Sequence, residues 1–180
     1  VVTHEGKAIH FSEKEVRSVG RTAQGVKAIN LEKDDYTVGM GVDDEGSDLL
    51  VITEKGYGKK TPLERYRLQA RGGKGIITVN TTKKNGKVAG IKLVEKDEDL
   101  IMISEEGIVI RTMVKEISRT GRNTLGVKVM NLSEGDKVVS LATINPEEEE
   151  EEDTENNEDK IEDEKESENK DSGEDENVVD

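Results

Sequence analysis

With 180 residues and no cysteine, the chain has room for one domain, or one domain and a tail, and it excludes both a disulfide framework and a thiolate-bound zinc. Its longest apolar runs, residues 49–52 and 100–103, fall far short of the roughly 20 residues a membrane-spanning helix needs. The net charge of −14 averages two unlike regions, because residues 146–180 hold 20 acidic and 3 basic side chains and leave 21 acidic and 24 basic ones to residues 1–145.

The first of three related units covers residues 1–48. It opens on Val1-Val2-Thr3, which aligns with Val51-Ile52-Thr53, so the chain starts inside a strand and is expected to be a piece of a longer polypeptide. A turn at Glu5-Gly6 leads to a second strand in KAIHF. The segment VRSVGRTAQGVKAINL follows, with a third strand from Gly25, and YTVGMGV supplies a fourth. The second unit, residues 49–99, repeats this order as LLVITEKG, YGKKT, YRLQARGGKGIITVNT and KVAGIKLV. The third, residues 100–145, does so as LIMISEEG, IVIRT, ISRTGRNTLGVKVMNL and KVVSLATI.

Gly6, Gly56 and Gly107 stand 50 and 51 residues apart, and the same offsets relate Gly25, Gly75 and Gly126, then Arg21, Arg71 and Arg122, then Asn30, Asn80 and Asn131. Four short strands in each unit of this length make a propeller-type blade. The expected fold is all-β: three four-stranded blades forming part of a ring, since a closed propeller takes four to eight. Residues 146–180, with six consecutive glutamates from Glu147, have no face to bury and are expected to be disordered. That tail is either a solubilising appendage or a polyanion that competes for basic sites on the blades.

Catalytic chemistry has little to build on. His4 and His10 are the only histidines and stand beside no nucleophile or metal-ligand set; the chain alone is read as non-catalytic. Arg71-Gly72-Gly73-Lys74-Gly75 is a loose match to a phosphate cradle, because a strand rather than a helix follows it. Phe11, Tyr36, Tyr57 and Tyr66 are the whole aromatic set, too few for the stacking platforms of single-strand readers.

What recurs is positive charge. Arg21, Arg71 and Arg122 form one aligned column; His10, Lys60 and Arg111 form a second. Arg17 and Arg67 make a partial third, and Lys27 shares a register with Lys128. Two roles compete for the recurring arginines: bracing a turn through backbone carbonyls, or following the phosphates of a duplex. A net charge of +3 over the blades is weak for long-range steering, so placement of the charges has to carry any binding.

The G-R-x-x-x-G-V-K repeat, the run TEKGYGKKTPLERYRLQARGGKG and the unit ISRTGRNTLGVKV resemble the C-terminal domain of the A subunit of bacterial DNA gyrase over residues 1 to about 144. The resemblance implies a β-pinwheel, a propeller-like disc whose neighbouring blades exchange strands and whose basic rim wraps duplex DNA. It makes this chain the last three blades and the tail of the A subunit of a type IIA topoisomerase. ATP and Mg would be used on parts not present, in an A2B2 assembly in the cytoplasm, on the nucleoid and away from membranes. Gln69-Ala70-Arg71-Gly72-Gly73-Lys74-Gly75 matches the family's wrapping heptapeptide except for Ala70, where a basic residue stands in gyrases. On this resemblance the DNA-binding set is Arg21, Arg71, Lys74, Arg122, Lys60, Arg111, Arg17, Arg67, Lys27 and Lys128. The A subunit of topoisomerase IV carries a similar domain, and a propeller scaffold without a DNA role is the alternative from another class.

Overall fold

The computed structural model describes residues 1–43 and 47–145, so the acidic tail expected to be disordered lies outside the described residues. Val1–Thr143 forms one compact unit; the second unit, Ile144–Asp180, is described only at Ile144 and Asn145. The described residues contain eleven strands and three single turns of 3-10 helix, joined by long turn and loop segments. The strands are β1 (Val2–Thr3), β2 (Lys7–Ala8), β3 (Thr37–Gly39), β4 (Asp48–Thr53), β5 (Tyr57–Pro62), β6 (Ile76–Ile77), β7 (Val88–Val94), β8 (Asp99–Ser104), β9 (Val109–Met113), β10 (Val127–Lys128) and β11 (Val138–Ile144).

They form three sheets, in the orders β3-β1-β2-β6, β10-β5-β4-β7 and β11-β8-β9. Two of the sheets take their outermost strand from the next unit. β6 of the second unit pairs antiparallel with β2 of the first, Ile76 opposite Ala8, and β10 of the third pairs with β5 of the second, Val127 opposite Gly58. The sheets are therefore built across the sequence boundaries at 48/49 and 99/100, which is the strand exchange of a pinwheel.

One expected strand is missing. Residues 25–31 of the first unit form no ladder, whereas the third strands of the two later units each pair with the unit before them. β9, the counterpart of β5, has β8 on one side and no strand on its other edge among the described residues.

The central strand explains why apolar/polar alternation is so patchy. In β4, Leu50 and Ile52 enter a core with Leu100, Met102, Val114 and Met130, while Leu49 and Val51 enter a second core with Val2, Ala8, Val79 and Val88. Successive side chains point to opposite faces of a strand, and both faces of β4 are covered, so the whole run is apolar. In β8, Leu100 and Met102 are buried but Ile103 is exposed, since only one face has a neighbouring blade.

Close approach between units sets a glycine requirement. Gly56 has φ +74, and a Cβ there would collide with the Met130 carbonyl oxygen of the exchanged strand, whose Val129 and Met130 N–H groups both donate to the Gly56 carbonyl. Lys59, in β5 on the far side of that turn, is fully buried. Its ammonium donates to the carbonyls of Gly121 (2.7 Å) and Arg122 and to Thr124 Oγ1 (3.2 Å), tying β5 to the loop of the next unit. Burial, with the Arg122 guanidinium adding to it, pulls the Lys59 ammonium from the usual 10.5 down to about 8.

Two outcomes follow for stability, both read by chemical denaturation. Gly135 also has a left-handed backbone, φ +93, but no neighbour where its Cβ would sit. Gly135→Ala should then cost about 1–2 kcal/mol for the backbone alone, and Gly56→Ala a further 1–3 kcal/mol or so for displacing the exchanged strand; equal costs would refute the close approach. For Lys59 the depressed folded value means that the unfolded chain binds more protons between about 8 and 10.5, so stability gains as pH rises through that window. Relative to Lys59→Met, the natural chain should become more stable from pH 8 towards 10.5, and a flat difference would show that Lys59 is not held in its buried state.

Candidate nucleic-acid interface

The arginine column proves to be a set of braces. Arg71 Nη1 donates to the Lys27 carbonyl (2.5 Å) and its Nε to the Glu15 carbonyl (3.2 Å), and its backbone N–H reaches Glu15 Oε2 (2.8 Å). Arg122 Nη1 donates to the Ile77 carbonyl (3.2 Å), with its guanidinium 6.0 Å from the centre of the Tyr66 ring. Lys27 and Ile77 are aligned positions, so each arginine makes the same bond to the third segment of the unit before it. Both are half-buried. Arg21 is exposed and has no hydrogen-bond partner among the described residues. Of the two roles open to the recurring arginines, Arg71 and Arg122 make the bracing contacts, pinned to main-chain oxygens; one or two N–H groups are used in this way, out of the five on each side chain.

The second column is corrected more strongly. His10 sits between the Tyr66 carbonyl (Nδ1, 3.0 Å) and Asp43 Oδ2 (Nε2, 3.2 Å). Lys60 is only 6% exposed, inside the β4–β5 ladder, and burial lowers its pKa against the pull of Asp48. Arg111 pairs with Asp99 (Nε to Oδ2, 2.7 Å). Each member faces an acid or is withdrawn into the sheet, so this column is not an uncompensated strip.

Other expected residues stay at the surface. Arg17, Arg67, Lys74 and Lys27 are exposed. Lys128 is exposed too, with Nζ on the Lys55 carbonyl (3.1 Å) and 5.1 Å from the Tyr57 ring centre. The heptapeptide loop is stitched to the first unit: the Gln69 N–H donates to the His10 carbonyl (2.8 Å), the Gly72 N–H to Ala28 (2.7 Å), and the Gly73 carbonyl accepts from Asn30 (2.8 Å). Gly75 immediately precedes β6.

The structure also brings together residues that sequence alignment left apart. Lys7, Arg65 and Arg122 line one cleft of about 520 Å³ with Gly75, Ile76, Ile77 and Asn123, at the junction where β6 crosses from the second unit to the first sheet. Among the described residues no carboxylate lines it, although Lys7 reaches out to Glu32. Lys74 precedes this lining in sequence, and Arg67 follows Arg65 by two. Arg65 and Lys7 escape the column logic because their aligned positions are not basic in all units; the cue in the sequence is only the density of ERYRLQARGGKG. Arg119 is another such residue, held bidentately by Asp48 (2.8 and 2.9 Å) and so clamping the third unit to β4.

Among the described residues no group of three or more His, Asp or Glu side chains could hold a metal ion, and no helix is long and apolar enough to cross a membrane.

Comparison with known proteins gives this geometry a lineage. The chain matches the family described as "DNA gyrase C-terminal domain, beta-propeller" over residues 1–42, 47–95 and 98–145, one segment for each unit. It is 47% identical over 143 residues to the DNA gyrase A subunit of Haloquadratum walsbyi, covering 78% of this chain and 17% of the relative. It is 44% identical over 149 residues to the DNA gyrase A subunit of Staphylococcus epidermidis, covering 82% and 17%. The chain thus spans about one sixth of the length of these relatives. Among solved structures it is similar to a DNA gyrase A C-terminal domain (TM-score 0.75, 28% identity, 79% of this chain and 49% of that one). It is equally similar to the C-terminal domain of a DNA topoisomerase IV (TM-score 0.76, 28% identity, 81% and 46%). The two strand exchanges among three blades, the repeated arginine brace and these matches lead to one conclusion: the chain belongs to the DNA gyrase C-terminal domain family, with a β-pinwheel fold.

Proposed function

We propose that the chain binds duplex DNA without strong sequence preference and bends it around its blades, as part of the A subunit of a type IIA topoisomerase that introduces negative supercoils with ATP. The rest of the A subunit, together with the B subunit, would complete an A2B2 assembly in the cytoplasm, on the nucleoid; ATP and Mg would act there, outside this chain. The observation that carries this reading is the cleft at the exchanged strand, where Lys7, Arg65 and Arg122 converge without a lining carboxylate among the described residues. Phosphate contacts supply most of the affinity of a sequence-independent binder, and three guanidinium or ammonium groups on one opening provide them. Arg122 contributes while it braces, because the bond to Ile77 leaves its charge and remaining N–H groups in place. Exposed Arg67, Lys74, Arg17, Arg21, Lys27 and Lys128 extend the cationic surface; Arg71, Lys60 and Arg111 act mainly within the fold.

Energetics allow it. Bending 20–30 bp by 40–90° costs about 1–6 kcal/mol, and charge-assisted hydrogen bonds contribute about 1.5–3 kcal/mol each, so a handful of phosphate contacts offsets the bend. Reading a base sequence would require hydrogen bonds to base edges in a groove. Asn123 is the one side-chain amide lining this cleft, which speaks for backbone recognition.

The test keeps the braces intact. Arg65→Gln, Arg67→Gln and Lys74→Gln together should lower the slope of log affinity against log salt by about 0.9 for each phosphate bond removed, and weaken binding by the same factor on duplexes of unrelated sequence. Fluorescence anisotropy measures the affinity and energy transfer between labelled duplex ends measures the bend. A duplex that is not retained even at low salt, with the acidic tail present or removed, would favour the scaffold reading instead.

A further inference from the structure

Among the described residues Lys59 is the only cation with no exposed surface, and its three donors meet three oxygens. The carbonyls of Gly121 (2.7 Å) and Arg122 and the hydroxyl of Thr124 (3.2 Å) all belong to the loop that the third unit sends across to the second. An ammonium has three N–H groups and no acceptor, so the protonated form satisfies the whole set. A neutral amine has two N–H groups and a lone pair, and leaves one of the three oxygens facing that lone pair. Thr124 offers little relief, because its hydroxyl already donates to the Gly121 carbonyl (3.0 Å).

The same loop supplies two residues that line the cationic cleft, Arg122 and Asn123. Arg122 is held at both ends: its own carbonyl by Lys59, its guanidinium by the Ile77 carbonyl and the Tyr66 ring. The junction between the first and second units is built otherwise. Ile9 and Gly73 stand at the positions aligned with Lys59 and Thr124, and a Cβ on Gly73 would rest 3.5 Å from the Ile9 δ-carbon, an ordinary apolar contact. One place in the fold is thus apolar at the first junction and ionic at the second, and the ionic one carries the arginine that faces Lys7 and Arg65.

We propose that Lys59 is a positioning residue for anion binding: its charge fixes residues 121–124 so that Arg122 meets a phosphate of the duplex, a role that rests on the reading of the cleft as a phosphate site. The surroundings of Lys59 make that charge sensitive to pH. Burial, with Arg122 on the facing loop, brings its titration to about 8. Val51, opposite it in β4, is apolar. Lys60, next along β5, points to the other face, towards Asp48 and Arg119. Tyr66, against Arg122, is pushed upward by burial, away from this range. The loop therefore loses a bond as pH rises through about 8, even as the fold as a whole gains from shedding a buried charge.

Fluorescence anisotropy of a labelled duplex with the full 180-residue chain reads the effect. Between about pH 7 and about pH 9 ordinary lysines and arginines keep their charge. Over that interval the affinity should fall about 10-fold and the salt slope by about 0.9, the loss of one phosphate contact. Arg122→Gln should already bind at the weaker level at the lower pH and lose nothing further at the higher one. Lys59→Ile with Thr124→Gly copies the packing of the first junction, which keeps the loop seated without a charge, and should bind equally at both pH values. A natural chain with no pH effect, or an effect that survives in either variant, would overturn the proposal and leave the cleft as a phosphate site. A chain that retains no duplex even at the lower pH and low salt would overturn both.

Discussion

Everything in this molecule depends on the demand of a strand edge for a partner. The second strand of each unit presents unpaired N–H and C=O groups on its outer side, and buried backbone groups of that kind are costly unless bonded. The fold meets the demand by delaying each unit's third strand until it can serve the unit before it: β6 closes the first sheet and β10 the second. The remaining features adapt to that crossing. Turns must be tight and left-handed where the exchanged strand passes, so glycine recurs with the unit. The loop that delivers the strand must be anchored, so an arginine recurs just ahead of it.

The arginine at that position shows that bracing leaves donors unused. A guanidinium cannot lose its proton and has more donors than a single carbonyl can use. Arg122 spends one on Ile77, rests against Tyr66, and still faces a cleft shared with Lys7 and Arg65. Lys59 works differently. It is fully buried and anchors the Gly121–Thr124 turn through three oxygens, and desolvation makes its charge expensive to keep. At the aligned positions Ile9 and Ile110 stand instead, so this ionic anchor belongs to the middle unit alone.

The repeat was legible because geometry imposed it on several residue types at once. Gly56, Arg122 and the strands around them each answer a separate constraint with the same period, so their registers reinforce one another. Strand exchange was not readable from residues 76–77 or 127–128 themselves, since a segment of β-branched residues looks the same whichever unit it joins; only the family resemblance carried that feature. The second cationic column misled for a related reason. Alignment places Lys60 and Arg111 at equivalent points, but each is set by an aspartate on the other strand of its own hairpin, Asp48 in the β4–β5 ladder and Asp99 across β8–β9, a pairing that a column of cations read by itself leaves out. Lys7 and Arg65 meet at one cleft through the β2–β6 crossing, a juxtaposition with no local trace in either segment.

Pairing of charge also decides which net charge matters. The blades carry only +3, and the whole chain −14, yet neither figure describes the field at the exchanged strand. Asp48 and Asp99 are committed to Arg119 and Arg111, which neutralises those positions locally. Cations without such a partner then dominate wherever they gather, and a screening length of about 8–10 Å at ordinary salt keeps the rest of the molecule from cancelling them. At the cleft of Lys7, Arg65 and Arg122 the Lys7 ammonium is paired with Glu32, while Arg65 and Arg122 have no acidic partner among the described residues, so the local excess of positive charge there is that of the two guanidinium groups, which the sum over the sequence conceals.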